Sequence, residues 1–190
     1  MRVYARLLVL VALLTAGACT HEPSLTGTPL GVPAPDFTLT DQHGAPWSLS
    51  QQRGKIVALF FGYTHCEDTC PATLAKIADA IAKSGAADAE IAFVTVDPER
   101  DTPPVMGAYV ERFAGATIVG LTGTQAQIQS VEHAYHVWAQ KIPGKTGGEN
   151  YDDAHSSFTY LIGRDGKEAA LHQDDDSPAA FAADLRALSQ

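Results

Sequence analysis

The feature that most constrains the fold is an apolar run that ends shortly before two cysteines. Residues 56–61 read IVALFF, with no polar residue among them. Such a run is typical of a strand buried on both faces of a sheet, which requires helices to cover the sheet. Cys66 and Cys70 come next, and apolar residues then recur at the spacing of one helix face over residues 74–81. The sequence therefore predicts a strand, a dithiol loop and a helix in succession, with Pro71 as the first helical residue.

The rest of the chain alternates between strand and helix patterns. Residues 37–39 and 47–49 alternate around a turn at 41–44 and predict an N-terminal β-hairpin. The other predicted strands cover residues 91–96, 118–121, 158–162 and 168–171, and the other predicted helices cover residues 104–113, 124–135 and 177–188. Thr124 and Ser177 are the expected N-caps. This order predicts an α/β fold with a central mixed β-sheet flanked by helices, and a dithiol after a buried strand is the layout of thioredoxin-like proteins.

The first 18 residues have the pattern of an export signal. Two arginines precede a mostly apolar run over residues 7–18, which is shorter than the roughly 20 residues that cross a membrane. Small residues then precede Cys19, as in the lipobox of bacterial lipoproteins, although Ala16 stands where leucine is usual. We predict a lipoprotein-type signal peptide over residues 1–18 and lipidation of Cys19, with an ordinary secretory signal as the alternative. Either signal places the protein outside the cytoplasm, where thiols can be oxidised.

Composition and charge set the domain plan. Proline and glycine recur through residues 19–35, which we interpret as a lipidated N-terminus and a flexible linker, followed by one domain over residues 36–190. The formal net charge of −9 disfavours nucleic acid as a partner. We expect a membrane-anchored lipoprotein of the bacterial cell envelope that faces the periplasm. Thr20 is not the aspartate associated with inner-membrane retention, so the choice of membrane stays open.

The spacing of Cys66 and Cys70 allows several chemistries. Two thiols four residues apart can lie on one side of a helical turn, where they can close a disulfide, exchange with another disulfide or hold a soft metal. A bridge across so short a loop adds well under the roughly 3 kcal/mol of a 15-residue loop, which argues against a stabilising role. A helix N-terminus favours thiolates, whereas Glu67 and Asp68 oppose them. These residues leave thiol exchange and metal binding both open.

A metal bound by the two cysteines would be stabilised further by a third ligand. Two thiolates suit Cu(I), and an added nitrogen ligand would also stabilise Cu(II). His155 is the favoured histidine because it ends an irregular glycine-rich loop (144–153) just before the strand at 158–162, where a side chain is held yet accessible. The other histidines are expected at solvated, surface or poorly directed positions: His21, His43, His65, His133, His136 and His172.

Four ordered segments of the chain resemble one known family. They read FFGYTHCEDTCP (60–71), FVTVDPERDTP (93–103), GLTG (120–123), and YDDAHS (151–156) followed by FTYLIGRDG (158–166). The first resembles the Cys-x-x-x-Cys-Pro loop of the Sco/SenC family, and the second resembles its Asp-Pro-x-Arg-Asp segment. This family comprises thioredoxin-like copper-binding proteins that help to assemble cytochrome c oxidase. The resemblance spans residues 33–188.

The resemblance implies a site. Three residues match copper ligands, for Cu(I) and for Cu(II): Cys66, Cys70 and His155. Asp97 matches an acidic position near the family's site and is expected either to act in the shell around the ligands or to cap the loop before Pro98. The chain departs from the family pattern at Glu67, where proline is common, and at Ala154, where aspartate is common and would orient the histidine.

Three functions compete at this stage. The first is a copper chaperone that delivers copper to the dinuclear copper A centre of oxidase subunit II, and other periplasmic copper chaperones are further expected partners. The second is a thiol–disulfide oxidoreductase that reduces the cysteines of that copper site and is itself served by thioredoxin-like reductants. The third, a peroxide-reducing enzyme, is disfavoured because Thr64 and Cys66 lack the Thr-x-x-Cys spacing. The resemblance supports the first two.

Overall fold

The computed structural model describes residues 24–113, 116–143 and 151–190. The predicted signal peptide, Cys19 and His21 lie outside these ranges. No helix within them combines the length and the apolar character needed to cross a membrane.

An eight-stranded mixed sheet forms the centre of the fold, in the order β1-β10-β9-β4-β5-β6-β2-β3. The three central strands β4, β5 and β6 run parallel, and every other neighbouring pair is antiparallel. The strands of this sheet are β1 (Thr28–Pro33), β2 (Thr38–Asp41), β3 (Pro46–Ser48), β4 (Ile56–Gly62), β5 (Ala89–Thr95), β6 (Thr117–Thr122), β9 (Phe158–Ile162) and β10 (Lys167–Gln173). The predicted α/β class, mixed sheet and hairpin β2–β3 are confirmed.

Within the described ranges, four α-helices accompany the sheet: α1 (Thr69–Ser84), α2 (Pro103–Val110), α3 (Gln125–Ala134) and α4 (Pro178–Leu188). The predicted apolar face of α1 is buried. Thr124 and Ser177 cap α3 and α4 as expected, because each side chain accepts a backbone N–H from the first turn. Helix α1 begins two residues before Pro71, so the prediction of Pro71 as its first residue is wrong. A proline fits anywhere in a first turn, since those N–H groups have no partner within the helix.

The predicted linker contains a strand. Residues 28–33 form β1, which pairs with β10 at the edge of the sheet, so the flexible-linker prediction is wrong for these residues. Pro29 and Pro33 are compatible with this position, because the outer side of an edge strand needs no N–H donors. Just before β1, the backbone N–H groups of Thr26 and Gly27 donate to the Asp184 carboxylate on α4, at 2.7 and 2.9 Å. The chain is therefore fixed to the domain from residue 26 onward.

A second sheet corrects part of the predicted irregular loop (144–153), because residues 151–153 lie in a strand. Strands β7 (Ala139–Pro143) and β8 (Tyr151–His155) pair as an antiparallel ribbon that is separate from the main sheet. Strand β7 is largely exposed and β8 is mostly half-buried and polar, so their sequences lack the alternation by which strands are recognised. Residues 144–150 lie outside the described ranges. The ribbon ends at His155, three residues before β9 begins.

Candidate metal centre

The topology of the sheet brings the two cysteines and His155 to one edge. Cys66 follows the carboxyl end of β4, the central strand. Strand β9 lies beside β4 and runs antiparallel, with Phe60 opposite Thr159, so β9 begins where β4 ends. His155 lies just before β9 and therefore reaches the same edge as the dithiol loop. Cys70 and His155 are 85 residues apart in the sequence, and the pairing of β4 with β9 is enough to bring them to the same edge.

The dithiol loop places one sulfur in the core and the other nearer to solvent. Cys70 is the second residue of α1 and is fully buried, whereas Cys66 is half-buried in the preceding loop. The Cys70 backbone N–H donates to the Cys66 Sγ at 3.3 Å. Gly62 lies beneath the loop, where an added Cβ would stand 2.8 Å from the Cys70 Sγ. The last residue of β4 must therefore be small for the Cys70 sulfur to occupy this position.

The two thiols are electrostatically unequal. A hydrogen bond from the Cys70 side chain lowers the pKa of Cys66 to about 5, and backbone N–H groups at the start of α1 add to this, while burial opposes it. The same hydrogen bond and burial raise the pKa of Cys70 above its ordinary value. Cys66 is therefore the thiolate at neutral pH, and Cys70 is the thiol that keeps its proton.

His155 presents one ring nitrogen to the Cys70 sulfur. Its Nε2 lies 3.7 Å from the Cys70 Sγ. Its Nδ1 lies 3.0 Å from the Ser156 carbonyl oxygen, which can only accept, so Nδ1 carries the proton of the neutral ring and Nε2 keeps a free electron pair. The ring packs edge-on against Tyr63, with 6.0 Å between the ring centroids. The imidazole is thus oriented with its donor nitrogen toward the dithiol.

Asp97 contacts residues in and next to the strand that ends at His155 and makes no hydrogen bond to either cysteine. It is fully buried after β5 and contacts Arg100, while the Tyr151 hydroxyl donates to its Oδ1 at 2.8 Å. Arg100 also donates to the Tyr151 carbonyl at 2.9 Å and to the Asp153 carboxylate at 3.0 Å. The two contacts of Arg100 with Tyr151 and Asp153 form a clamp on β8, the strand that ends at His155. The contacts favour a positioning role for Asp97, acting through Arg100, over a simple loop cap.

Ala154 stands where aspartate is common in the family that the sequence resembles, and the acidic residue next to it is Asp153. Its side chain is buried, and burial together with the nearby Asp97 raises its pKa to about 6, although Arg100 opposes this rise. The carboxylate contacts Arg100, and no contact joins it to the ring of His155. The acidic residue in this segment therefore orients the strand, and the Ser156 carbonyl orients the ring.

Sequence reasoning missed Asp101, which fixes the start of the dithiol loop. Its buried carboxylate accepts the Thr64 N–H at 3.0 Å, the Thr64 hydroxyl and the Thr95 hydroxyl, both at 2.6 Å. Burial raises the pKa of this carboxyl. The signal was present in the segment that begins at Asp97, because a second acidic residue four positions on, after a buried strand, faces the same edge of the sheet.

The remaining described histidines lie away from the two cysteines or face solvent. His43 is exposed, as expected, and His65, His133 and His136 are exposed as well. His172 was predicted to be exposed and is buried, so that prediction is wrong. Its Nδ1 lies 2.9 Å from Asp176 and its Nε2 lies 3.0 Å from Asp184, the carboxylate that also anchors Thr26. His172 is a structural residue that joins β10 to α4.

The donor atoms fit a soft metal, although they are not closed around one. Across residues 24–113, 116–143 and 151–190, no group of three His, Cys, Asp or Glu side chains is arranged to hold a metal ion. Cys70 and His155 are adjacent, and Cys66 faces the backbone of Cys70. Thiolate and imidazole donors are those that copper and zinc prefer, and oxygen-preferring ions such as Mg²⁺ and Ca²⁺ are disfavoured. Fold and site together define a thioredoxin-like protein with a dithiol and a histidine at the edge of its central sheet.

Comparison with known proteins narrows this class. The chain belongs to the SCO1/SenC family, which it matches over residues 30–190. It is 36% identical over 145 residues to an SCO2-like protein of Rickettsia felis, which covers 75% of this chain and 70% of that protein. The copper-bound structure of ScoI from Bradyrhizobium japonicum is 36% identical with a TM-score of 0.70, covering 82% of this chain and 98% of that one. Copper-bound yeast Sco1 is 25% identical with a TM-score of 0.70, covering 81% and 86%.

Proposed function

We propose that this protein is an extracytoplasmic copper chaperone. Cys66, Cys70 and His155 bind copper as cargo, in its Cu(I) and Cu(II) states, and the protein delivers it to the dinuclear copper A centre of cytochrome c oxidase subunit II. The observation that carries this proposal is the approach of the His155 Nε2 to within 3.7 Å of the Cys70 sulfur, across 85 residues of sequence. Membership of the SCO1/SenC family and the copper-bound structures of two relatives support it.

The unequal thiols support a sequence for binding. Cys66 offers a thiolate near neutral pH and is the more exposed sulfur, so it meets the copper first. Cys70 then gives up its proton to solvent and joins, since a bound cation stabilises the second thiolate. His155 adds a neutral nitrogen donor whose orientation is set by its hydrogen bond to the Ser156 carbonyl.

Delivery is a ligand exchange in which copper keeps its oxidation state. Each thiolate of the acceptor that binds the copper displaces one donor of this protein. An acceptor thiol that displaces Cys70 releases a proton as the Cys70 sulfur takes one up, whereas an acceptor thiol that displaces the Cys66 thiolate releases its proton to solvent. Because copper stays bound to sulfur throughout, no free copper ion is released.

The first experiment replaces His155 with alanine. Copper titration of the reduced protein is expected to lose Cu(II) binding, because two thiolates alone suit Cu(I), and oxidase assembly in cells is expected to fail. His133→Ala is the matched control, since this histidine is exposed and is not among the residues that surround Cys66 and His155. Assembly that survives the His155 change would refute its role as a ligand, and reduced protein that takes up no copper would refute the chaperone proposal.

A second candidate function is thiol–disulfide exchange. The observation that favours it is the thiol pair itself, with a half-buried Cys66 of lowered pKa and a buried Cys70 of raised pKa. Cys66 would attack a disulfide of the oxidase copper site, and Cys70 would then displace the partner's sulfur, so that two electrons pass to the partner and a Cys66–Cys70 disulfide forms. An exchange assay on the His155→Ala protein separates the two functions, because exchange requires the cysteines and not the histidine.

We further propose that Cys19 carries the lipid that holds the protein at the cell envelope, facing the periplasm. The small residues before Cys19 and the short apolar run support this. Mass spectrometry of the N-terminal peptide is expected to show a lipid on Cys19, and Cys19→Ser is expected to move the protein from the membrane to the soluble fraction. An unmodified Cys19 in the mature protein would contradict the proposal.

A further inference from the structure

An open groove of about 590 Å³ lies over Cys66 and His155. The dithiol loop forms one side of it, and the β7–β8 ribbon forms the other. This groove is the route by which a partner molecule reaches the half-buried sulfur of Cys66, because Cys70 is fully buried beneath it. What lines the groove therefore determines what can approach the site.

Two large apolar side chains are exposed on the ribbon side of the groove. Among the described residues, four large hydrophobic side chains are exposed, and two of them, Trp138 and Ile142, line this groove at 55% and 40% exposure. The backbone of Trp138 is fixed, since its backbone N–H donates to the Ser156 hydroxyl at 3.2 Å and its carbonyl accepts the Ser156 N–H at 2.9 Å. A tryptophan side chain has only two torsions to fix when a partner covers it and buries a large area, which makes it an effective anchor for binding.

The rim of the groove is acidic. Glu67 and Asp68 are exposed on the dithiol loop, and Asp152 lies on β8. None of these three carboxylates has a salt-bridge partner within the described ranges. Arg100 also lines the groove, but its guanidinium is occupied by Asp97 and Asp153. Among the described residues, the groove thus combines an apolar anchor with a rim of carboxylates that form no salt bridge.

We infer that this groove is the docking surface for a protein that presents cysteine thiols on a loop bordered by lysine or arginine side chains and by an apolar contact. The inference rests on the proposed function and specifies its partner, because thiolate-to-thiolate transfer requires that the partner's sulfurs enter this groove. The acidic rim attracts a cationic loop and repels an anionic membrane surface. Trp138 and Ile142 supply the apolar part of the contact, and Glu67 and Asp152 supply the charge complementarity.

The test measures binding and copper transfer separately. The probe is the purified copper A domain of oxidase subunit II, with its cysteines reduced, and the full chain is titrated with it by calorimetry. Trp138→Ala is expected to weaken the affinity about tenfold or more, as for other aromatic anchors. The matched control is Val32→Ala, an equally exposed apolar residue on β1, whose pairing through Glu168 and Ile162 to Val57 places it at the opposite end of the sheet.

Charge is tested in the same way. Glu67→Gln is expected to slow association and to make it less sensitive to salt, because part of the attraction is electrostatic. Glu111→Gln, beyond the C-terminal end of α2, removes the same charge outside the groove and is expected to leave association unchanged. Equal effects of the two changes would show that only the net charge matters and would refute a specific role for the carboxylates at the rim of the groove.

Other outcomes overturn the inference without touching the proposed function. If Trp138→Ala and Val32→Ala bind the domain equally well, the groove is not the docking surface, whereas copper titration of the chain alone still tests the chaperone proposal. If phosphatidylcholine vesicles shift the tryptophan emission of the chain to shorter wavelength and Trp138→Ala abolishes the shift, the apolar patch faces lipid. Trp47 does not interfere, because it is buried.

Discussion

Replacing Cys70 with alanine is expected to raise the pKa of Cys66 and to move the pH profile of its alkylation. The hydrogen bond from the Cys70 side chain is the largest cause that lowers the pKa of Cys66 to about 5. Backbone N–H groups at the start of α1 remain in the variant, so the pKa is expected to settle between about 5 and the ordinary value of 9.0. The rate of alkylation follows the thiolate, and it therefore falls as the pH drops through the pKa.

The structure also predicts where the difference is measurable. At pH 7, a pKa of about 5 gives about a hundredfold more thiolate than a pKa of 9.0. Intrinsic nucleophilicity falls by a factor of about 3 for each unit by which the pKa is lowered, so four units cancel most of that gain. At pH 5 the unchanged protein is half thiolate, while an ordinary thiol holds only about one part in ten thousand, which leaves a net advantage of about fiftyfold. The difference in alkylation rate between a thiol of lowered pKa and an ordinary thiol is therefore measurable at the acidic end of the pH profile.

The assay is alkylation by iodoacetamide between pH 4 and pH 9, with the Cys66 peptide quantified by mass spectrometry. The unchanged protein is expected to show a midpoint near pH 5, and Cys70→Ala a clearly higher one. Cys66→Ser serves as the control, and its Cys70 is expected to react slowly because it is fully buried. Identical midpoints in the unchanged protein and in Cys70→Ala would refute the thiol-to-thiolate hydrogen bond.

Three further substitutions test other parts of the structure. Gly62→Ala is expected to destabilise the fold by about 1–3 kcal/mol in urea unfolding and to weaken copper binding, because the new methyl collides with the Cys70 sulfur. The control is Gly107→Ala, where the nearest atom to an added Cβ is 3.7 Å away, and this change should be neutral or stabilising. Arg100→Lys cannot make the same three-way contact, and copper titration is expected to show an affinity about 10–100-fold lower; an unchanged affinity would contradict the clamp on β8. His172→Gln removes the ring's hydrogen bonds to Asp176 and Asp184, which keep their backbone partners, and is expected to cost about 1–3 kcal/mol in urea unfolding. His43→Gln at an exposed turn should cost nothing measurable.

The elements that the sequence predicted correctly are those in which a hydrophobic pattern follows from burial. The apolar run of β4, the buried face of α1 and the capped start of α3 all lie against the core, and each carries its own period or cap in the sequence. The predicted elements differ from the observed ones by a few residues at their ends, because helix and strand ends depend on local hydrogen bonds more than on hydrophobicity.

The features that the sequence did not reveal are held by contacts between distant residues. Strand β1 and the β7–β8 ribbon are stabilised by pairing and carry little apolar pattern of their own. His172 was misjudged because its burial depends on Asp184, which lies on the next helix. The clamp of Arg100 on β8 likewise joins residues about 50 positions apart. Such contacts become visible only when the order of the strands is known.

If Cys19 carries the proposed lipid, the anchoring of Thr26 and Gly27 to Asp184 limits how far the domain can stand from the membrane. If the predicted linker to residue 35 were free, a chain held at Cys19 would reach roughly 55–60 Å at about 3.5 Å per residue. Because the chain joins the domain at Thr26, the leash from Cys19 shortens to roughly 25 Å. A domain on so short a leash searches only a thin layer above the lipid surface, so it meets partners that are themselves held at that surface far more often than partners free in the compartment.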